Sequence, residues 1–344
     1  MRRRSLLAMG AAGGAAALLG TGTSALASPA AARLAVSPSA DPGSDPTSLR
    51  ALAGKIGLRF GTALIPQDIE TPSYAAIAAS QFSVVTPGNG MKWQIVEPTQ
   101  GTYDWSQADE LVAFARANGQ LVRGHTLLWH NQLPDWLTTG VANGTISTDQ
   151  LKQLLQQHIQ VEVSRYRGRI WQWDVANEFF LDANPSGINP NDFWISHLGP
   201  DIIPQAFRWA HQADPGALLF YNDYSGEGLG AKSDRIYELV KGLLAQGVPI
   251  GGVGLQMHIT AGNPPADSSV ASNMSRLTGL GLLVNISEMD VRVADVAGSQ
   301  QAKLDTQKNV YHSIVGVCVA QPGHAAGAAR LHDDHPQGLG DDVV

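Results

Sequence analysis

Cysteine is nearly missing from this sequence. Cys318 stands alone among 344 residues, so no intramolecular disulfide can form and cysteine-ligated zinc is not expected. Charge is scarce as well. Asp, Glu, Lys and Arg make up 15% of the chain, and the acids prevail to a formal charge of −7. Such a chain has little with which to neutralise phosphates, which argues against nucleic acid as a partner, whereas a neutral polymer suits it. Long apolar runs are confined to the N-terminus. There Arg2, Arg3 and Arg4 precede a small, apolar stretch over residues 6–19, and Ala25-Leu26-Ala27 fits a cleavage site. The stretch is too short and too glycine-rich to span a membrane, so residues 1–27 read as an export signal and the protein as secreted. The arginines beside Ser5-Leu6-Leu7 point to the twin-arginine route. Residues 28–46, rich in Ala, Ser and Pro, read as a disordered leader.

What remains has the size of a single barrel. Apolar strand-like runs occur at residues 56–64, 83–86, 120–126, 170–177, 217–222, 253–257 and 282–288, and amphipathic helical patterns at 107–118, 148–166, 233–246, 269–277 and 305–319. Ser106 with Asp109 and Ser147 with Gln150 have capping-box spacing, and Gly119 and Gly247 suit helix ends. Strand–helix alternation with nearly continuous apolar strands predicts an α/β fold, a parallel sheet covered by helices. Seven strands are recognisable. From Pro322 onward the chain turns polar, so the expectation is an incomplete barrel over residues 47–322, lacking its eighth strand, with an irregular tail over 323–344. An open seam would leave two sheet edges exposed. The pair His332 and His335 beside Asp333 and Asp334 reads as part of a solvated tail and not as a metal site.

Two segments, Trp173-Asp174-Val175-Ala176-Asn177-Glu178 and Asn285-Ile286-Ser287-Glu288-Met289-Asp290, are apolar runs that each deliver a glutamate near a strand end. Barrel enzymes place catalytic groups at strand C-termini, and paired carboxylates are the minimum for cleaving a glycosidic bond. Other polar residues fall at the same ends: Asn89 and Lys92, His125 and Trp129, Asn177, Asn222 and Tyr224, Gln256 and His258, and Asp290. The motifs around both glutamates, with Gly124-His125-Thr126-Leu127-Leu128-Trp129-His130-Asn131-Gln132 and Gly254-Leu255-Gln256-Met257-His258, resemble the family 10 glycoside hydrolases, the endo-β-1,4-xylanases. The resemblance runs from about residue 49 to 321.

That resemblance implies a TIM (β/α)8-type barrel and a retaining endo-xylanase that needs no cofactor or metal and takes xylan as its polymer partner; the protein is expected to work as a monomer. Glu178 would be the general acid/base and Glu288 the nucleophile, with carboxyl groups roughly 5–5.5 Å apart rather than the roughly 6.5–9.5 Å of inversion. Asn177 would bind a sugar hydroxyl, His258 would hydrogen-bond Glu288, and Asp290 would orient that imidazole. His125, Trp129, Gln256 and Tyr224 would line the substrate, with Asn222 in support, and Asn89 and Lys92 would hold the next sugar outward. The chain departs from the family pattern at Gly88-Asn89-Gly90, where the family carries acids, and at Cys318, which has no partner. Two rival readings are an impaired xylan-binding or poorly folded homologue, resting on the missing strand, and a barrel glycosidase acting on β-glucan. A phosphate-binding barrel isomerase fits worst, for want of a glycine-rich phosphate loop. Trp171, Trp173 and Trp209 read as packing residues, and Glu97 with Gly101 and Trp105 as a turn.

Overall fold

The computed structural model describes residues 45–182 and 187–321 and the backbone of 327–329. The export signal, nearly all of the leader and the His332–His335 stretch lie outside the described residues. The strands are β1 (Phe60–Leu64), β2 (Val84–Pro87), β3 (Leu121–Leu128), β4 (Gln172–Asn177), β5 (Leu218–Asp223), β6 (Gly252–Leu255), β7 (His258–Thr260), β8 (Leu283–Arg292) and β9 (Gly327–Ala329). Every pairing is parallel. Strands β1 to β6 follow one another, β6 pairs with β8, β8 with β9, and β9 returns to β1, which closes a ring of eight. The short β7 extends the wall above β6, setting His258 opposite Asp290.

The expectation of a missing eighth strand is therefore corrected. Gly327 pairs with Phe60 on one side and Ile286 on the other, and Ala328 and Ala329 continue the ladders to Gly61 and Met289. A three-residue Gly-Ala-Ala segment has no β-branched residue and no alternation, so its own propensity is silent. It is a strand because β1 and β8 present unpaired N–H and C=O groups on either side of it, and backbone groups left unpaired in an interior are costly.

The other strands form for the reason their composition gives. Every residue of β4 and β5 is buried, as expected where helices cover one face and the barrel interior the other. The packing is close enough to dictate glycine: a Cβ at Gly124 would lie 2.2 Å from the Trp173 ring. Trp173 and Trp209 are buried, as expected for packing residues. The helix Thr148–Arg165 buries Leu151, Leu155, His158, Ile159, Glu162 and Val163, one helical stripe that contains two titratable groups. Its capping box is present, with Gln150 N donating to Ser147 Oγ (3.3 Å) and Ser147 N to Gln150 Oε1 (2.9 Å). The capping box expected at Ser106 is absent. Ser106 is already helical, its N–H donates to Asp104 Oδ1 (2.9 Å), and Asp109 turns to an ion pair with Arg165 and a hydrogen bond from Tyr166 Oη. Gly119 and Gly247 end their helices at φ 61° and 64°, the left-handed conformation that glycine adopts freely. Cys318 is buried and unpaired. No helix among the described residues is long and apolar enough to cross a membrane.

Candidate active site

Because all eight strands run in one direction, their C-terminal ends meet at one face, and the two glutamates meet there with them. Glu178 follows the last residue of β4, and Glu288 lies within β8. Glu178 is held by uncharged donors: Trp129 Nε1 donates to its Oε2 (2.7 Å) and Gln256 Nε2 to its Oε1 (2.7 Å). Gln256 Nε2 also lies 3.4 Å from Asn177 Oδ1, which accepts from Asn222 Nδ2 (2.7 Å), and the same Asn222 nitrogen donates to Glu288 Oε1 (2.8 Å). Ser287 Oγ donates to Asn222 Oδ1 (2.6 Å) and fixes that amide. A chain of amides thus connects one carboxylate to the other. Asn177 Nδ2 is buried with no hydrogen-bond partner among the described residues.

Glu288 is held by cations. The guanidinium of Arg123 lies 3.2 Å from its Oε1, makes an ion pair with Asp174, and donates to the Ser287 carbonyl (2.8 Å). His258 Nε2 is 3.5 Å from Glu288 Oε2, while His258 Nδ1 is 2.5 Å from Asp290 Oδ2. Burial alone would push His258 down, but its hydrogen bonds to Asp290 and Glu288 and their charges raise it to about 10, so the ring is an imidazolium at neutral pH. For Glu288, burial would raise the carboxyl. His125, His258 and Arg123 more than reverse this and hold it well below the ordinary carboxylate range. His125 bonds through Nδ1 to Asp174 Oδ2 (2.8 Å) and turns Nε2 toward Glu288 Oε1 (3.8 Å). Burial, with Lys92 nearby, pushes this histidine below 6.5, leaving Arg123 and His258 as the persistent cations beside Glu288.

Glu178 adopts φ 63° and Met257, one residue before His258, φ 64°. Left-handed backbone costs a non-glycine residue roughly 1–2 kcal/mol, so both must be held by their surroundings. The Glu178 N–H donates to the Asn222 carbonyl (3.0 Å), and the Met257 N–H to buried Glu227 (2.9 Å).

The anticipated residues divide into two sets. Asn177, Asn222, Gln256, Trp129, His125, His258 and Asp290 join the carboxylates in one network. Lys92 stands over Trp129, its ammonium 4.1 Å from that ring, and its charge reaches His125. Asn89 accepts from Gln132 (3.3 Å), and Tyr224 lies under the Lys232 ammonium at 3.3 Å, with no hydrogen bond from either to the two carboxylates among the described residues. Glu97 accepts from Trp93 Nε1 and the Gly101 N–H (2.8 Å each), the turn role read from sequence. A side chain at Gly90 would place its Cβ 3.1 Å from the Ala108 nitrogen, so the acid of the family pattern does not fit here unless the helix Ser106–Ala117 moves.

Sequence reasoning overlooked Arg123, Asp174, Ser287, Tyr221, Asp223, Glu227 and Lys232. Arg123 and Asp174 carried a signal, since charges inside buried strands persist only when paired. His125, Asp174 and Glu288 hold ligand atoms within 4.8 Å of one another, as a metal site would, but the Arg123 guanidinium already contacts both carboxylates.

A closed parallel barrel with two carboxylates joined through amides at its C-terminal face has the construction of a glycoside hydrolase. The family described as Glycosyl hydrolase family 10 matches residues 48–328, and the chain belongs to it. Relatives include endo-1,4-beta-xylanase B of Thermotoga neapolitana, 39% identical over 283 residues that span 81% of this chain and 79% of the relative. An Agaricus bisporus endo-1,4-beta-xylanase is 38% identical over 275 residues, 79% of each chain. Among solved structures, xylanase 10B from Thermotoga petrophila in complex with xylobiose superposes with a TM-score of 0.76 at 37% identity, covering 83% of this chain and 85% of that one. Native xylanase 10B from Thermotoga maritima gives 0.75 at 38%, covering 82% and 85%.

Proposed function

We propose that this chain hydrolyses internal β-1,4 bonds of xylan with retention, Glu288 acting as nucleophile and Glu178 as general acid/base. One observation carries the assignment of roles: the carboxylates sit in opposite electrostatic surroundings. Glu288 is flanked by a guanidinium and an imidazolium and stays an anion. Among the described residues Glu178 accepts hydrogen bonds from neutral donors, an indole and an amide, and takes the acid/base role. Two carboxylates in unlike surroundings divide the acid and nucleophile roles.

In the first step Glu178 gives its proton to the leaving glycosidic oxygen while a Glu288 oxygen bonds to the anomeric carbon. In the second, water attacks that carbon, Glu178 takes the water proton, and Glu288 leaves as carboxylate. Retention is favoured because a carboxylate so stabilised as an anion is a poor base toward water, which inversion would require, yet it can attack carbon. Asn177 Nδ2, without a protein partner, is a donor for a sugar hydroxyl. His125, Trp129, Gln256 and Tyr224 line the reacting sugars, and Asn89 and Lys92 serve the sugar beyond. A monomer exported from the cell fits a polymer substrate and the N-terminal pattern.

Family membership and the relatives' xylanase activity favour xylan over β-glucan. The closed barrel removes the ground for an impaired homologue. Reducing-sugar release from xylan by the purified protein tests the activity, and kcat/KM on aryl β-xylobioside against aryl β-cellobioside tests the substrate. Inactivity on xylan with a cooperative melt, or preference for the cellobioside, would overturn this reading.

A further inference from the structure

Around the β5 tip lies a second polar network that touches neither carboxylate. The Phe179 N–H, one residue past Glu178, donates to Tyr221 Oη (3.2 Å), and Tyr221 Oη donates to Asp223 Oδ2 (2.5 Å). Asp223 Oδ1 accepts from the Tyr224 N–H (2.9 Å) and lies 3.0 Å from Lys232 Nζ. Lys232, at the start of the helix Ala231–Ala245, also reaches Asp182 Oδ1 (3.0 Å), four residues beyond Glu178. Ser225 Oγ donates to the other Asp182 oxygen (3.0 Å). Tyr221 and Asp223 are fully buried and Lys232 is nearly so.

We infer that Lys232, Asp223 and Tyr221 are positioning residues that lock the backbone on the C-terminal side of Glu178 and so aim its carboxyl at the leaving oxygen. This rests on Glu178 being the general acid. The need for a lock comes from geometry. Glu178 occupies left-handed backbone where the chain leaves the barrel, and relaxation of either flanking peptide would swing its side chain away from Trp129 and Gln256. The Asn222 carbonyl holds the near side through the Glu178 N–H, and the Tyr221 hydroxyl holds the far side through Phe179. Tyr221 is held in turn by Asp223, and Lys232 supplies the countercharge that lets Asp223 accept while pinning Asp182 farther along the same loop. A buried lysine paired with a buried aspartate is expensive as mere packing, since both charges must be taken from water. Here it joins the two segments that set the direction of Glu178.

The test compares kcat/KM for Tyr221→Phe and Lys232→Met on xylohexaose, whose leaving group needs protonation, and on 2,4-dinitrophenyl β-xylobioside, whose leaving group does not. Glu178→Gln serves as reference. Misaimed general acid predicts a loss of roughly tenfold to hundredfold on xylohexaose and less than about threefold on the activated substrate. Equal losses on both substrates, or no loss on either, would overturn the inference. Tyr221→Phe removes one oxygen only and decides the matter even if Lys232→Met folds poorly. Should Glu178→Gln itself show no such leaving-group dependence, the acid assignment is what fails, and the relay falls with it.

Discussion

His158 and Glu162, one turn apart on the buried face of their helix, make the fold sensitive to pH in both directions. His158 Nε2 lies 3.5 Å from Glu162 Oε2, both side chains are wholly buried, and Trp93 stacks on the imidazole at 4.0 Å. Burial pushes His158 down to about 3 and Glu162 well above its ordinary value, so the folded pair keeps a single proton over a wide range. The unfolded chain returns to 6.5 for the histidine and 4.5 for the glutamate. Glu162, raised by folding, stabilises fully below 4.5 and loses that contribution as pH rises toward its folded value. His158, depressed by folding, contributes fully above 6.5 and loses it as pH falls toward 3. Between 4.5 and 6.5 the two slopes cancel, and outside that window stability declines by about 1.4 kcal/mol per pH unit. Glu162→Gln keeps the shape and removes the glutamate's slope. The stability of the variant relative to the parent should therefore grow as pH rises above 4.5, by up to about 1.4 kcal/mol per pH unit until the folded value of Glu162 is reached, and the Tm gap should widen with it. Scanning fluorimetry at one fixed scan rate across that range measures it, and unrelated titrations cancel in the difference. A gap that stays constant with pH would refute the reasoning, because Glu162 would then titrate alike in both states.

Three further outcomes are expected. Glu178→Ala should lower kcat/KM on xylan by about 10²–10⁴-fold, spare dinitrophenyl xylobioside in the first step, and regain turnover with azide; steady-state kinetics with and without azide checks this. Arg123→Met leaves Asp174 and Glu288 without their shared cation, and should cost about 3–5 kcal/mol in denaturant unfolding and most of the activity. A chain ended after Gln321 lacks β9 and exposes the edges of β1 and β8. It should lose the cooperative melt in circular dichroism that the full chain shows.

The barrel was legible because most strands are buried on both faces and read as apolar runs. The strand at 327–329 was not, since Gly-Ala-Ala becomes a strand only through the two edges it joins. Glu178 and Glu288 stood out because each closes or interrupts a buried strand with a charge. Arg123 carried the same mark within Leu121-Val122-Arg123-Gly124 and was passed over. Lys232 gave no warning: a lysine opening an amphipathic helix looks like any solvated cation until the loops after β4 and β5 fold over it. The Ser106 capping box failed because Asp104 offered the helix N-terminus a nearer acceptor and Asp109 found Arg165.

Division of labour between the two carboxylates is tested most directly by trapping the covalent intermediate. Incubation with a 2-deoxy-2-fluoro xylobioside bearing an activated leaving group, followed by proteolysis and mass spectrometry, should put the sugar on Glu288 at one equivalent per chain. A label on Glu178, or full turnover with no label anywhere, would contradict it.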